Sequence, residues 1–179
     1  MSEPDHPRLL AVVGDGEQPA ITAAAERIVG SVSAAIGATW PIRLRFLGAD
    51  APAGDAVALV ATWVAEAMTA TAPDIVEARW RQRIAAWRAS GVSRVLLCTL
   101  FRQVDRATGD ATTVEHIRRL NRAAIALSRA EGIEIVDIDR IFAQVGARTL
   151  GPDYRMTGPA AAALAGHAIA DALLRGDLG

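Results

Sequence analysis

The chain has 179 residues, of which 19 are basic and 20 acidic, for a formal net charge of −1 at neutral pH. That length suits one domain, which buries roughly 70% of its unfolded surface and needs neither disulfide nor metal to fold. The near-zero charge excludes a global field for nucleic acid or an anionic membrane. A single cysteine, Cys98, excludes an internal disulfide and a cysteine-built zinc site.

The apolar run Leu9–Val13 ends in Gly14-Asp15-Gly16 and reads as a strand buried on both faces and stopped by a turn. It is preceded by acids rather than by the basic start and long apolar stretch of a signal peptide. No window reaches the roughly 18 apolar residues of a membrane span. Residues 1–7 are therefore expected to be a flexible tail, 1–179 a single domain, and the chain cytoplasmic. After Pro19, the residues Ile21, Ala25, Ile28, Val32 and Ile36 recur at helical spacing and predict a helix over 19–37. Ile42–Leu47 alternates as a second strand closed by Gly48, and Ala56–Ala61 is a third, apolar throughout.

Asp74 is the expected cap of a helix whose core stripe is Val76, Trp80, Ile84 and Trp87. Val95–Leu100 is a fourth strand, with Cys98 inside it. The polar stretch Arg102–Thr113 reads as a long loop, which by its length suggests a role. Ile117, Leu120, Ala124 and Leu127 mark the next helix, Ile133–Val136 a fifth strand, and 138–145 a short helix. A final alanine-rich helix runs to about Leu174, with Thr157 as cap and Pro159 in its first turn.

Continuously apolar strands alternating with helices imply a parallel sheet covered on both faces. The expected fold is a three-layer α/β/α, doubly wound, flavodoxin-like sheet of about five strands. In such sheets ligands sit beyond the carboxyl ends of the strands, here near 14–17, Gly48, 62–66, 100–102 and the loop 150–155.

From Asp55 onward the order strand, helix, RVLLCTL, HIRRLNRAAIALSRAEGIEIVDIDRIFAQVG and MTGPAAAALAGHAIADALL resembles the SGNH (GDSL-type) hydrolases, a family of esterases, lipases and acyl transferases. Asn121, Val136-Asp137 and the terminal helix match features common in that family, and LLAVVGDGEQ stands where it carries its GDS block. The resemblance implies a serine nucleophile, an oxyanion hole of a backbone glycine and an asparagine, and a DxxH motif before the last helix. Placed on that pattern, the nucleophile position is Gly16, the glycine block is Gly48 with almost no helix after it, and the asparagine position is Trp63. Arg155 falls at the histidine and Pro152 at the aspartate, with Asp153 one residue off. A hydroxyl nucleophile needs an imidazole base held in one tautomer and donors facing the oxyanion. Arginine stays protonated and cannot act as that base.

The resemblance therefore implies a catalytically degenerate protein that binds a small acyl or anionic ligand, or a partner protein, at the carboxyl edge of the sheet. The candidate ligand-binding residues are Gly14, Asp15, Gly16, Gly48, Trp63, Arg102 and Arg155. Backbone N–H groups at Gly14–Gly16 can face an anion, and arginine suits bidentate carboxylate or phosphate. Two alternatives stay open. One is an esterase or acyl-transfer enzyme with a rebuilt site using Asp15, Glu17, Asp153 or Arg155 in new roles. The other is an enzyme of another class taking a phosphate or carboxylate substrate. A cluster of Asp15, Glu17, Glu66 and Asp153 could hold a cation or run acid–base chemistry, although no two of His6, His116 and His167 share metal-ligand spacing. No cofactor or metal is expected. The shortened crossover after Gly48 predicts an apolar-rimmed opening near Trp40, Trp63 and Phe101 that a partner or a second copy of the chain covers.

Overall fold

The computed structural model describes residues 8–12, 16–48, 53, 56–69, 71–102, 111–146 and 155–175. Five strands, β1 (Arg8–Val12), β2 (Arg43–Leu47), β3 (Ala58–Thr62), β4 (Arg94–Cys98) and β5 (Glu134–Val136), form one sheet in the order β2-β1-β3-β4-β5. Every pairing is parallel. Six helices are described: α1 (Gln18–Ile36), α2 (Val64–Thr69), α3 (Pro73–Ala89), α4 (Ala111–Glu131), α5 (Ile138–Val145) and α6 (Pro159–Arg175).

The alternation of side chains along the strands divides the interior in two. Val60, Leu96 and Cys98 point into a core shared with α1, α5 and α6. Leu59, Ala61, Val95 and Leu97 point into a second core with α2, α3 and α4. The doubly wound, three-layer architecture expected from the sequence is thus present. The predicted stripes are its inner faces: Val76, Trp80, Ile84 and Trp87 of α3, and Ile117, Leu120, Ala124 and Leu127 of α4, are all buried.

The first core is built of small residues at close range. A Cβ on Gly166 of α6 would stand 2.9 Å from both the Ala20 carbonyl oxygen and the Ala23 Cβ of α1, so the two backbones meet where only glycine fits. In the last turn of α6, Arg94 at the start of β4 donates to the Leu173 and Ala172 carbonyls at 2.8 and 3.1 Å while gripping both oxygens of Glu134 at 2.8 Å. These contacts set the axial position of α6 and hence of the residues just before it. The second core is aromatic. Trp63 stacks on Trp80 with centroids 5.1 Å apart, and Trp80 meets Trp87 edge-on at 5.8 Å.

Several expectations are corrected. The six-residue α2 is an element the sequence did not announce. Asp74 lies in the first turn of α3, whose cap is Ala72. The Gly158 carbonyl accepts from Ala162 N at 2.8 Å and so occupies the cap of α6, with Thr157 one residue outside. Cys98 ends β4 rather than lying two residues inside it. Leu44 and Phe46 pack on the first core, whereas Arg43 and Arg45 on the opposite face are exposed. Leu47, on the same face, packs against the second core, so among the described residues the exposed part of that face is basic, not apolar. Trp63 and Phe101 are 0% and 1% exposed and Trp40 is packed against the first core, so the three do not form the expected docking surface.

Candidate functional site: the carboxyl edge of the sheet

The chain beyond β1 turns at Gly16 and enters α1, with Glu17 as its cap and Pro19 in its first turn. The segment before α6 lies against this turn. A Cβ on Gly16 would stand 2.8 Å from Thr157 Cγ2, a distance that a β-branched, rotamer-restricted side chain does not readily relieve. Met156, beside it, has φ 57° and is buried in the first core. A left-handed backbone at a residue other than glycine costs about 1–2 kcal/mol, and here it drives a large apolar side chain inward.

Beyond β3 the edge is also filled. Trp63 is 0% exposed, and its Nε1 has no hydrogen-bond partner among the described residues. Glu66, 5% exposed, accepts from Trp80 Nε1 at 2.8 Å and from Arg83 NH1 at 3.1 Å. The Arg83 guanidinium lies 5.5 Å from the Trp80 ring centroid. His116 Nε2 is 3.2 Å from the Glu66 carbonyl oxygen, to which it can only donate. Glu66 is consequently committed to the second core, and the predicted carboxylate cluster does not include it.

The ends of β4 and β5 are stitched together by side chains. Thr99 Oγ1 donates to Asp137 Oδ1 at 3.1 Å and accepts from Asp139 N at 3.0 Å. Asp137 caps α5 by accepting from Arg140 N at 3.1 Å. Asp139 accepts from Arg102 N at 3.0 Å and pairs with Arg102 Nε at 3.4 Å. Asn121 of α4 clamps the Leu100 backbone, with its Oδ1 accepting from Leu100 N at 2.9 Å and its Nδ2 donating to Leu100 O at 2.8 Å.

Between α4 and these strand ends lies a cavity of about 420 Å³. Glu115, Arg118, Asn121, Arg122 and Ile125 form its helical wall. Thr99, Ile135 and Asp137 form the strand wall, with Arg102 and Asp139 beside them. The volume is within the roughly 300–1,000 Å³ of small-molecule sites.

Of the described residues predicted to bind ligand, only Arg102 lines this cavity. Gly48 is exposed at the end of β2, three strands away from β4, which is roughly 14 Å at the usual strand spacing. Trp63 is in the core. Arg155 is exposed and makes an interaction of its own, but is not in the cavity wall. Gly14, Asp15 and Asp153 lie outside the described residues. Cys98 is buried, and burial pushes its thiol up to about 12, which leaves it protonated and unreactive at neutral pH. His167 is exposed on α6. Sequence reasoning missed Arg118 and Arg122. The signal was available, since the buried stripe of α4 fixes its phase and puts Arg118, Arg122 and Ile125 together on an adjacent face.

Sheet order and helix layers define an SGNH-hydrolase-like fold. No family model matches the chain, and no curated protein matches it. Among solved structures it is similar to a protein of Parabacteroides merdae assigned as a GDSL-like lipase, with a TM-score of 0.73 at 12% identity over 96% of this chain and 97% of that one. It is also similar to a catalytic mutant of Axe2, an acetylxylan esterase from Geobacillus stearothermophilus, with a TM-score of 0.65 at 14% identity over 100% and 97% of the two chains. The acetyl xylan esterase AlAXEase gives a TM-score of 0.63 at 11% identity, over 93% and 99%.

Proposed function

We propose that this chain uses the SGNH-hydrolase-like fold without serine hydrolysis, and that it holds a small acyl or anionic ligand at the carboxyl edge of the sheet. The observation that carries this reading is the Gly16–Thr157 contact. The position matching the nucleophile has no side chain, and the volume a side chain would need is taken up by Thr157. The other matched positions support it. Trp63 is packed in the core and Arg155 is a permanent cation, so neither reproduces the donor or the base that acyl transfer requires. The solved structures it resembles include esterases, which makes an acyl-type ligand the natural starting class for this edge.

The test is hydrolysis of p-nitrophenyl acetate by the wild type, Gly16→Ser, and Gly16→Ser combined with Thr157→Ala. No turnover above buffer is expected from the wild type or the single variant. The single variant should lose about 1–3 kcal/mol of stability through overpacking, and removing the Thr157 methyl should restore most of it. Turnover by the wild type overturns the reading. The burial of Glu17, one residue from Gly16, favours a second reading as a rebuilt enzyme. Wild-type turnover that disappears in Glu17→Gln would establish it.

A further inference from the structure

We infer that the cavity between α4 and the ends of β4 and β5 binds a small monocarboxylate with an apolar body, its head group on Arg122 and its body between Ile125 and Ile135. This deepens the ligand-holding reading and rests on it, placing the ligand away from the Gly16 turn.

The argument is one of charge and surface. Three arginines and three carboxylates line the cavity, so a multiply charged ligand of either sign would meet as much repulsion as attraction. The carboxylates are each engaged already. Asp137 holds Thr99 and the α5 cap, Asp139 holds Arg102, and Glu115 lies 3.3 Å from Arg119 and 3.8 Å from Arg118. Arg122 is the exception: it lines the cavity and makes no ion pair or hydrogen bond among the described residues. One guanidinium thus has its donors uncommitted, and that fork is matched by one carboxylate. Next to it on the same helical face, Ile125 is 46% exposed and lines the cavity, with half-buried Ile135 in the facing wall. A ligand that offers only a charge would leave these surfaces wet. One that carries an alkyl or aryl body would cover them.

The experiment is calorimetric titration of the full chain with octanoate, octanamide, acetate and inorganic phosphate. Octanoate should saturate one site. Octanamide lacks the charge and acetate lacks the body, and both should bind at least tenfold more weakly. Arg122→Gln and Ile125→Ser, both at exposed positions, should each weaken octanoate at least tenfold. Arg129→Gln, exposed on the same helix but outside the cavity wall, should leave it unchanged. The inference fails if octanoate does not bind, if it binds Arg122→Gln as tightly as the wild type, or if phosphate binds more tightly through Arg122. Hydrolysis of p-nitrophenyl octanoate by the wild type, with octanoate binding still dependent on Arg122, would sink the non-hydrolytic reading and leave the site standing. Absence of both turnover and binding would do the reverse.

Discussion

The two ends of the carboxyl edge have been built in opposite ways. From β1 to β3 the described residues fill the edge: Thr157 stands against Gly16, Met156 is turned inward, Trp63 is stacked on Trp80, and Glu66 is held by Trp80 and Arg83. At β4 and β5 the edge opens into a charged cavity with isoleucine in both walls. The difference lies in the side chains at the strand ends and not in the architecture, which is the same at both. Position in the fold does not fix where a ligand sits; the side chains at each strand end do. At the filled end small residues and aromatic packing occupy the edge, whereas at the open end the hydrogen bonds of Thr99, Asp137 and Asn121 fix the walls in place.

The strongest way to break the contrast is to disrupt the packing at β3. Glu66 and Arg83 side chains are only 6% and 11% exposed, and taking away Glu66 removes the acceptor of the buried Trp80 Nε1 together with one partner of Arg83. Glu66→Ala should therefore cost about 3 kcal/mol in denaturant unfolding. Glu66→Gln, which keeps an acceptor for Trp80 Nε1, should cost less. A loss under about 1 kcal/mol for Glu66→Ala would mean that water already reaches this end of the sheet and that the packing there is superficial.

The open end is tested at Asn121. Leu100 is 1% exposed, and Asn121 supplies partners to both its N–H and its C=O. Asn121→Leu leaves two buried backbone groups unsatisfied and should cost about 2–3 kcal/mol. Asn121→Asp keeps the acceptor for Leu100 N and loses the donor to Leu100 O, so its cost should be smaller. Equal stabilities for the two variants would show that the clamp does not hold this wall.

What the sequence made legible was whatever repeats locally. Strand and helix alternation, the α3 and α4 stripes, the 138–145 helix and Pro159 at the start of α6 are all short-range patterns, and the structure places them where the pattern does, shifted by a residue or two at the ends. The order of motifs also disclosed the fold. What could not be read depends on long-range meetings. Six residues are too few for α2 to display a helical period. Glu66 looks like a free carboxylate until Trp80 and Arg83, 14 and 17 residues further on, are brought to it. Trp63 reads as a crevice wall because apolar residues at a strand end look alike whether buried or lining a pocket. Nothing in Arg155-Met156-Thr157 signals the left-handed backbone of Met156, since the residues that commonly adopt it are glycine and asparagine. Arg118 and Arg122 were hidden among other arginines of α4, where only the phase of the helix separates a lining residue from a solvated one.

Cys98 sharpens the comparison with the smallest effect, because it marks where the open end should stop. It ends β4, one residue before cavity-lining Thr99, and its side chain points into the opposite core. Burial raises its pKa from 9.0 to about 12. Below pH 9 both folded and unfolded chains keep the thiol proton, so Cys98 gives stability no pH dependence. Above pH 9 the unfolded chain releases the proton while the folded one retains it, and stability falls by about 1.4 kcal/mol per pH unit until the folded value is reached. Unfolding measured between pH 9 and 11 should thus fall more steeply for the wild type than for Cys98→Ala, with the two slopes equal at neutral pH. An aromatic disulfide reagent at pH 8 should leave the native thiol unmodified and react once denaturant is added. Parallel alkaline slopes together with prompt native-state reaction would mean that water entering the cavity passes the Thr99 wall, and that the sheet does not separate the open end from the filled one.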